Sequence, residues 1–130
     1  HEGIDRIPFP HRTINHYALR AIDTHLAGME GGSKDRPSPP LVLDVGCGAG
    51  FLLQQMLKRG WDARGIDPYP RGAATRPPLR ERIAGGTIDS LGGMSFEAIT
   101  VRNNSTRLRR IMVCLQGTST CAYRDTCGWM

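Results

Sequence analysis

The chain has 130 residues, enough for one hydrophobic core of ordinary size and too few for two. At 39 % hydrophobic and 22 % charged residues it has the balance of a folded domain, which excludes a wholly disordered chain. No apolar run approaches the ~18 residues that suggest a membrane span, and the net charge of +5 gathers at one end.

That end is residues 101–130, where Arg102, Arg107, Arg109, Arg110 and Arg124 face Asp125 alone, while the first hundred residues are nearly neutral. A basic tail can bind nucleic acid. With no aromatic residue among the arginines at 102–110 to stack on bases, the tail reads as a solvated end and no nucleic-acid partner is expected. The cysteines, Cys47, Cys114, Cys121 and Cys127, form no C-x-x-C pair, and the histidines cluster at the other end of the chain, so no metal site is expected. A disulfide within the tail has little support in a cytoplasmic protein. The chain starts at His1 without a secretory-signal pattern, which predicts a fragment or trimmed chain in the cytoplasm.

In chain order, Thr13 is a candidate N-cap for an amphipathic helix. Ile14, Tyr17, Ala18, Ala21, Ile22 and Leu26 recur at helical spacing, and Gly28 ends the element. His11, His16 and His25 lie in or beside it and read as surface or packing residues. Residues 28–40 are rich in Gly, Pro and charge, the composition of a linker. Leu41–Leu43 reads as a buried strand, and Phe51–Gly60 as a helix with apolar residues at 52, 53, 56 and 57, basic residues in its last turn and a glycine stop. A second strand runs from Trp61 to Ile66 and ends on Asp67. Strand, glycine turn, helix and strand make one βαβ unit and hence a parallel sheet. Beyond it, Pro77 and Pro78 predict that any helix in 71–83 is short or broken. Gly86–Ile88 reads as a third strand end and Phe96–Val101 as a fourth strand, while Leu108–Leu115 fits helix or strand equally.

The chemistry gathers at Asp44-Val45-Gly46-Cys47-Gly48-Ala49-Gly50. A glycine turn between a strand and a helix lets a ligand lie against bare backbone, and the helix that follows aims its N–H groups into the same crevice. The dinucleotide fingerprint Gly-x-Gly-x-x-Gly would need its third glycine at position 51, where Phe51 stands. The spacing here is Gly-x-Gly-x-Gly, with an acid two residues before the first glycine. Asp67, 21 residues after Gly46 and at the end of the second strand, is placed to accept hydrogen bonds from two ribose hydroxyls. It suits a nicotinamide dinucleotide as well as any other nucleoside ligand.

Leu43 to Gly50 resembles the first motif of class I S-adenosylmethionine-dependent methyltransferases, in particular the small-molecule enzymes that include the ubiquinone-biosynthesis methyltransferases. The resemblance implies an α/β, Rossmann-like fold: a mostly parallel sheet with flanking helices, incomplete at its C-terminus. It implies S-adenosylmethionine as cofactor, with Gly46, Cys47, Gly48 and Gly50 around its methionine and ribose, Asp44 toward its amino group and Asp67 on the ribose. S-adenosylmethionine has no phosphate, so the missing fingerprint glycine is no loss. Gly86-Thr87-Ile88-Asp89 is similar to the family's adenine-contacting loop. Thr87 stands where many relatives carry an acid, for which its hydroxyl or Asp89 could substitute, and Ile88 would offer backbone and apolar contact to the adenine ring. Asp67-Pro68-Tyr69-Pro70 has a superficial likeness to the motif of DNA amino-methyltransferases, but follows the second strand rather than the fourth.

The resemblance covers residues 38–100. The expected organisation is an N-terminal amphipathic helix and linker at 1–37, a cofactor-binding βαβ core at 38–100 and a divergent basic tail at 101–130. The family's segment after the fourth strand, which supplies acceptor contacts and any catalytic base, is not legible. Thirty residues cannot complete a seven-stranded sheet. The sequence therefore predicts a methyltransferase acting on a small-molecule acceptor, truncated or altered after about residue 100, with no catalytic residue named. An inactive cofactor-binding fragment and an NAD(P)-binding oxidoreductase are the alternatives.

Overall fold

The computed structural model describes residues 11–28, 38–87, 95–103, 110–115 and 124–125. Helix α1 (His11–Ala27) starts two residues before the candidate cap Thr13 and ends where the Gly28 amide donates back to the carbonyls of Thr24 and His25. Strand β1 (Leu41–Val45) leads through the glycine turn into α2 (Phe51–Lys58), and β2 (Asp62–Ile66) follows. Residues 71–83 hold two single-turn 3-10 segments, Gly72–Thr75 and Leu79–Arg82, as the prolines between them predict. Then come β3 (Ile83–Ala84), β4 (Ala98–Asn103), β5 (Arg110–Leu115) and β6 (Arg124–Asp125).

Among the described residues the strands form one sheet in the order β3-β2-β1-β4-β5-β6. β3, β2, β1 and β4 are parallel, whereas β5 and β6 are antiparallel additions. This is the Rossmann-like arrangement of a mostly parallel sheet with flanking helices. Connection length explains the change of sense. A parallel return needs a crossover of a dozen or more residues, which α2 supplies between β1 and β2. The connection 104–109 is too short, so β5 runs back beside β4 and the ambiguity over 108–115 resolves as strand. Two further expectations shift. The third strand lies at Ile83–Ala84, ahead of Gly86, and the fourth extends to Asn103.

The two faces of the sheet are packed unequally. Alternation along the strands sends Val42, Ala63, Ala98, Ile111 and Val113 to one face, where α1, α2 and the 3-10 segments build the main core. Leu43, Ile66 and Phe96 make a smaller cluster on the other. α1 buries Asn15, Ala18, Leu19, Ile22 and Leu26 and leaves Tyr17 48 % exposed, so its inner face is rotated from the one expected. Burying Leu19, Ile22 and Leu26 is worth roughly 1.5–3 kcal/mol each. An exposed Arg59–Asp23 ion pair (3.2 Å) ties the end of α2 to α1. No described helix is long and apolar enough to cross a membrane.

Candidate functional site

β1 has α2 and β2 leading away on one side and β4 on the other, so its C-terminal end is the switch point where open parallel sheets bind ligands. The glycine turn sits there. Gly46, Gly48 and Gly50 have φ of 76°, 57° and 87°, a left-handed region that side chains disfavour. The turn is fastened from three directions. The Gly46 amide donates to the Ile66 carbonyl at the end of β2 (2.8 Å), the Gly50 amide to Cys47 (2.8 Å), and the Arg71 amide to the Gly48 carbonyl (3.0 Å). Gly50 also acts as the N-cap of α2 without any side-chain cap, so the first-turn amides of the helix are left to a ligand or solvent.

Two carboxylates flank the turn. Asp67 accepts the Gly48 amide on Oδ2 (2.8 Å) and the Tyr69 amide on Oδ1 (2.7 Å). Each oxygen keeps a further lone pair for a hydroxyl. Asp44, on β1, is 1 % exposed. Its Oδ1 accepts the hydroxyl of Thr100 (2.8 Å), directly across in register on β4, and its Oδ2 is buried with no hydrogen-bond partner. Burial raises the Asp44 carboxyl to about 6; the positive charge of Arg102 and the Thr100 hydrogen bond pull the other way, and Asp67 adds to the rise. A buried orphan acceptor of this kind suits a cationic donor, because an unpaired carboxylate oxygen is otherwise a large desolvation loss.

Cys47 is buried in the turn, and its thiol is pushed up to about 12 by burial, then by Asp44 and Asp67. At neutral pH it is a small packing group with no nucleophilic character. Of the remaining expected residues, Thr87 is exposed beyond the end of β3, and Ile88 and Asp89 lie outside the described residues. Asp67–Pro70 follows β2, the wrong strand for a base-stacking motif. A separate groove of about 340 Å³ lies between α2 and residues 73–79, lined by Gln54, Leu57, Lys58, Arg76, Pro78 and Leu79 among others; none of the expected ligand residues faces it. Among the described residues no three potential metal ligands come together.

Three groups at the site were not read from the sequence. Thr100 and Arg102 share the inward face of β4 with Ala98, and polar residues at alternate positions of an otherwise apolar strand were the available signal. The third is Gly65 on β2. A Cβ there would stand 2.9 Å from Cys47 Sγ and 3.2 Å from Leu53 Cδ2, so only glycine lets the turn and α2 approach the strand so closely. A lone glycine inside a strand is the sequence mark of such an approach.

Over 77 residues the chain is 43 % identical to a ubiquinone biosynthesis O-methyltransferase of Acinetobacter baylyi, a match covering 58 % of this chain and 29 % of the relative. Over 58 residues it is 41 % identical to proteins of the same name from Acinetobacter baumannii strains AYE and SDF, covering 45 % of this chain and 21 % of each relative. The chain thus spans less than a third of the length of the curated relatives it matches. No protein-family profile matches it. The likeness is to ubiquinone biosynthesis O-methyltransferases, in agreement with the resemblance carried by Leu43–Gly50.

Proposed function

We propose that this chain is the methyl-donor-binding portion of an O-methyltransferase whose acceptor is a small molecule bearing a hydroxyl group. Residues 38–100 form the donor-binding unit, flanked by 1–37 and 101–130. The observation that carries the reading is the pair of carboxylates about the left-handed glycine turn. Asp44 Oδ2, buried and lacking a donor, suits the ammonium group of S-adenosylmethionine. Asp67, fixed by two backbone amides and with lone pairs to spare, suits the ribose hydroxyls. Gly46, Cys47, Gly48 and Gly50 would line the path between them, and Thr87, Ile88 and Asp89 would meet the adenine. When bound, the cofactor supplies a methyl group on a sulfonium, already activated for displacement, so the protein's part is to hold it and orient it. The similarity to ubiquinone biosynthesis O-methyltransferases supports the same reading.

Calorimetric titration of the 130-residue chain tests it. S-adenosylhomocysteine is expected to bind in the micromolar range and NAD not measurably. Binding of NAD with none of S-adenosylhomocysteine would overturn the proposal in favour of an oxidoreductase.

A further inference from the structure

On the same face of the sheet as Asp44 runs a chain of polar groups, Gln55, Asn15 and Arg102, of which the first two are buried. Asn15 lies on the inner face of α1, 1 % exposed in a row otherwise made of Ala18, Leu19, Ile22 and Leu26. Its Nδ2 donates to Gln55 Oε1 on α2 (3.3 Å), and its Oδ1 accepts from Arg102 Nη2 on β4 (2.5 Å). Gln55 is itself 7 % exposed. The parallel register pairs Asp44 with Thr100 and Val45 with Val101, so Arg102 comes next, beside the first turn glycine. A Cβ at Gly46 would lie 3.7 Å from the Arg102 carbonyl. Alternation puts Arg102 on the same face of β4 as Thr100, the face toward α1.

An apolar residue at position 15 would complete the core face of α1. Instead three elements meet through one amide. We propose that Asn15 and Arg102 are positioning residues for the donor site: the Asn15 amide fixes the Arg102 guanidinium beside Asp44 and so keeps that carboxylate ready for the ligand's ammonium group. The proposal rests on the donor-site reading and adds to it that α1 takes part in ligand affinity without touching the ligand.

The charges around Asp44 give the direction of the effect. Arg102 on β4 favours its ionised form, as does the Thr100 hydroxyl; Asp67 at the end of β2 opposes it. Cys47 in the turn stays a neutral thiol at working pH, and α1 and α2 contribute the uncharged Asn15 and Gln55. Releasing Arg102 therefore makes Asp44 easier to protonate. Affinity for an ammonium-bearing ligand should fall, and its dependence on pH should move upward.

The test compares two ligands on the full chain by calorimetry between pH 5 and 8. S-adenosylhomocysteine carries the amino-acid end; 5′-methylthioadenosine has the same nucleoside and thioether without it. Asn15→Leu is expected to raise the midpoint of the pH dependence of S-adenosylhomocysteine binding by about one pH unit, so that this ligand weakens about fivefold at pH 6, and to leave 5′-methylthioadenosine within about twofold. Arg102→Gln, which keeps the buried amide of α1, should give the same selective loss and serves if Asn15→Leu does not fold. Equal weakening of both ligands, or no change in either, overturns the proposal by reducing the pair to a packing role. If the unaltered chain binds neither ligand, the donor-site reading itself falls, and this proposal with it.

Discussion

The two carboxylates that flank the glycine turn, Asp44 on its floor and Asp67 at its rim, are held in opposite ways. At the rim, Asp67 is half-buried and has a backbone amide on each oxygen. Its geometry is set before any ligand arrives. On the floor, Asp44 is sealed from water, has one hydroxyl donor and leaves its other oxygen with none. The rim is a finished structural element, whereas the floor is left with one oxygen unpaired. Unsatisfied buried groups lower stability, and proteins keep them where a function compensates.

The largest effect expected from this contrast is on stability. Asp44 stands at about 6 in the folded chain against 3.8 for an unperturbed aspartate. A carboxyl raised on folding binds more protons in the folded state, so its contribution falls as pH rises from 3.8 through 6. Asp44→Asn, neutral at every pH, should therefore gain about 2 kcal/mol relative to the unaltered chain between pH 4.5 and 7.5, measured by urea denaturation at both. The same change at Asp67 should stay within about 1 kcal/mol at either pH, in keeping with a half-exposed group. Equal responses at the two positions would erase the distinction between floor and rim.

Gly65→Ala probes what lets floor and rim share one turn. The added methyl group meets Cys47 and Leu53 well inside contact distance. It should lower stability by about 1–3 kcal/mol, read as a fall in Tm, and weaken S-adenosylhomocysteine binding by moving the turn. An unchanged Tm would mean that β2 and the turn are less tightly apposed than described.

What could be read from the sequence follows the range of the interactions. β1, the glycine turn, α2 and β2 lie within 27 consecutive residues, and their signals are local: an apolar run, alternating glycines, helical periodicity, a second strand. Asp44 and Asp67 were legible because a strand end fixes where a side chain must stand. Asn15 was not, because its partners Gln55 and Arg102 are 40 and 87 residues away. Without them, an asparagine in α1 reads as surface, and Tyr17 takes its place in the inferred apolar face. The sense of β5 depended on the length of 104–109 rather than on residue type, and β3 is too short to leave a pattern of its own.

The central claim, that Asp44 is an incomplete floor awaiting a cation, is tested most directly by the pH dependence of S-adenosylhomocysteine affinity. The ligand's amino group stays protonated across pH 5–7.5, so the titrating partner in that window is the carboxylate. The account predicts that affinity falls about tenfold from pH 7.5 to pH 5 in the unaltered chain, with a midpoint near 6. In Asp44→Asn it should be weaker, by roughly 10- to 100-fold at pH 7.5, and flat with pH. A flat profile in the unaltered chain, with affinity indifferent to Asp44→Asn, would contradict it.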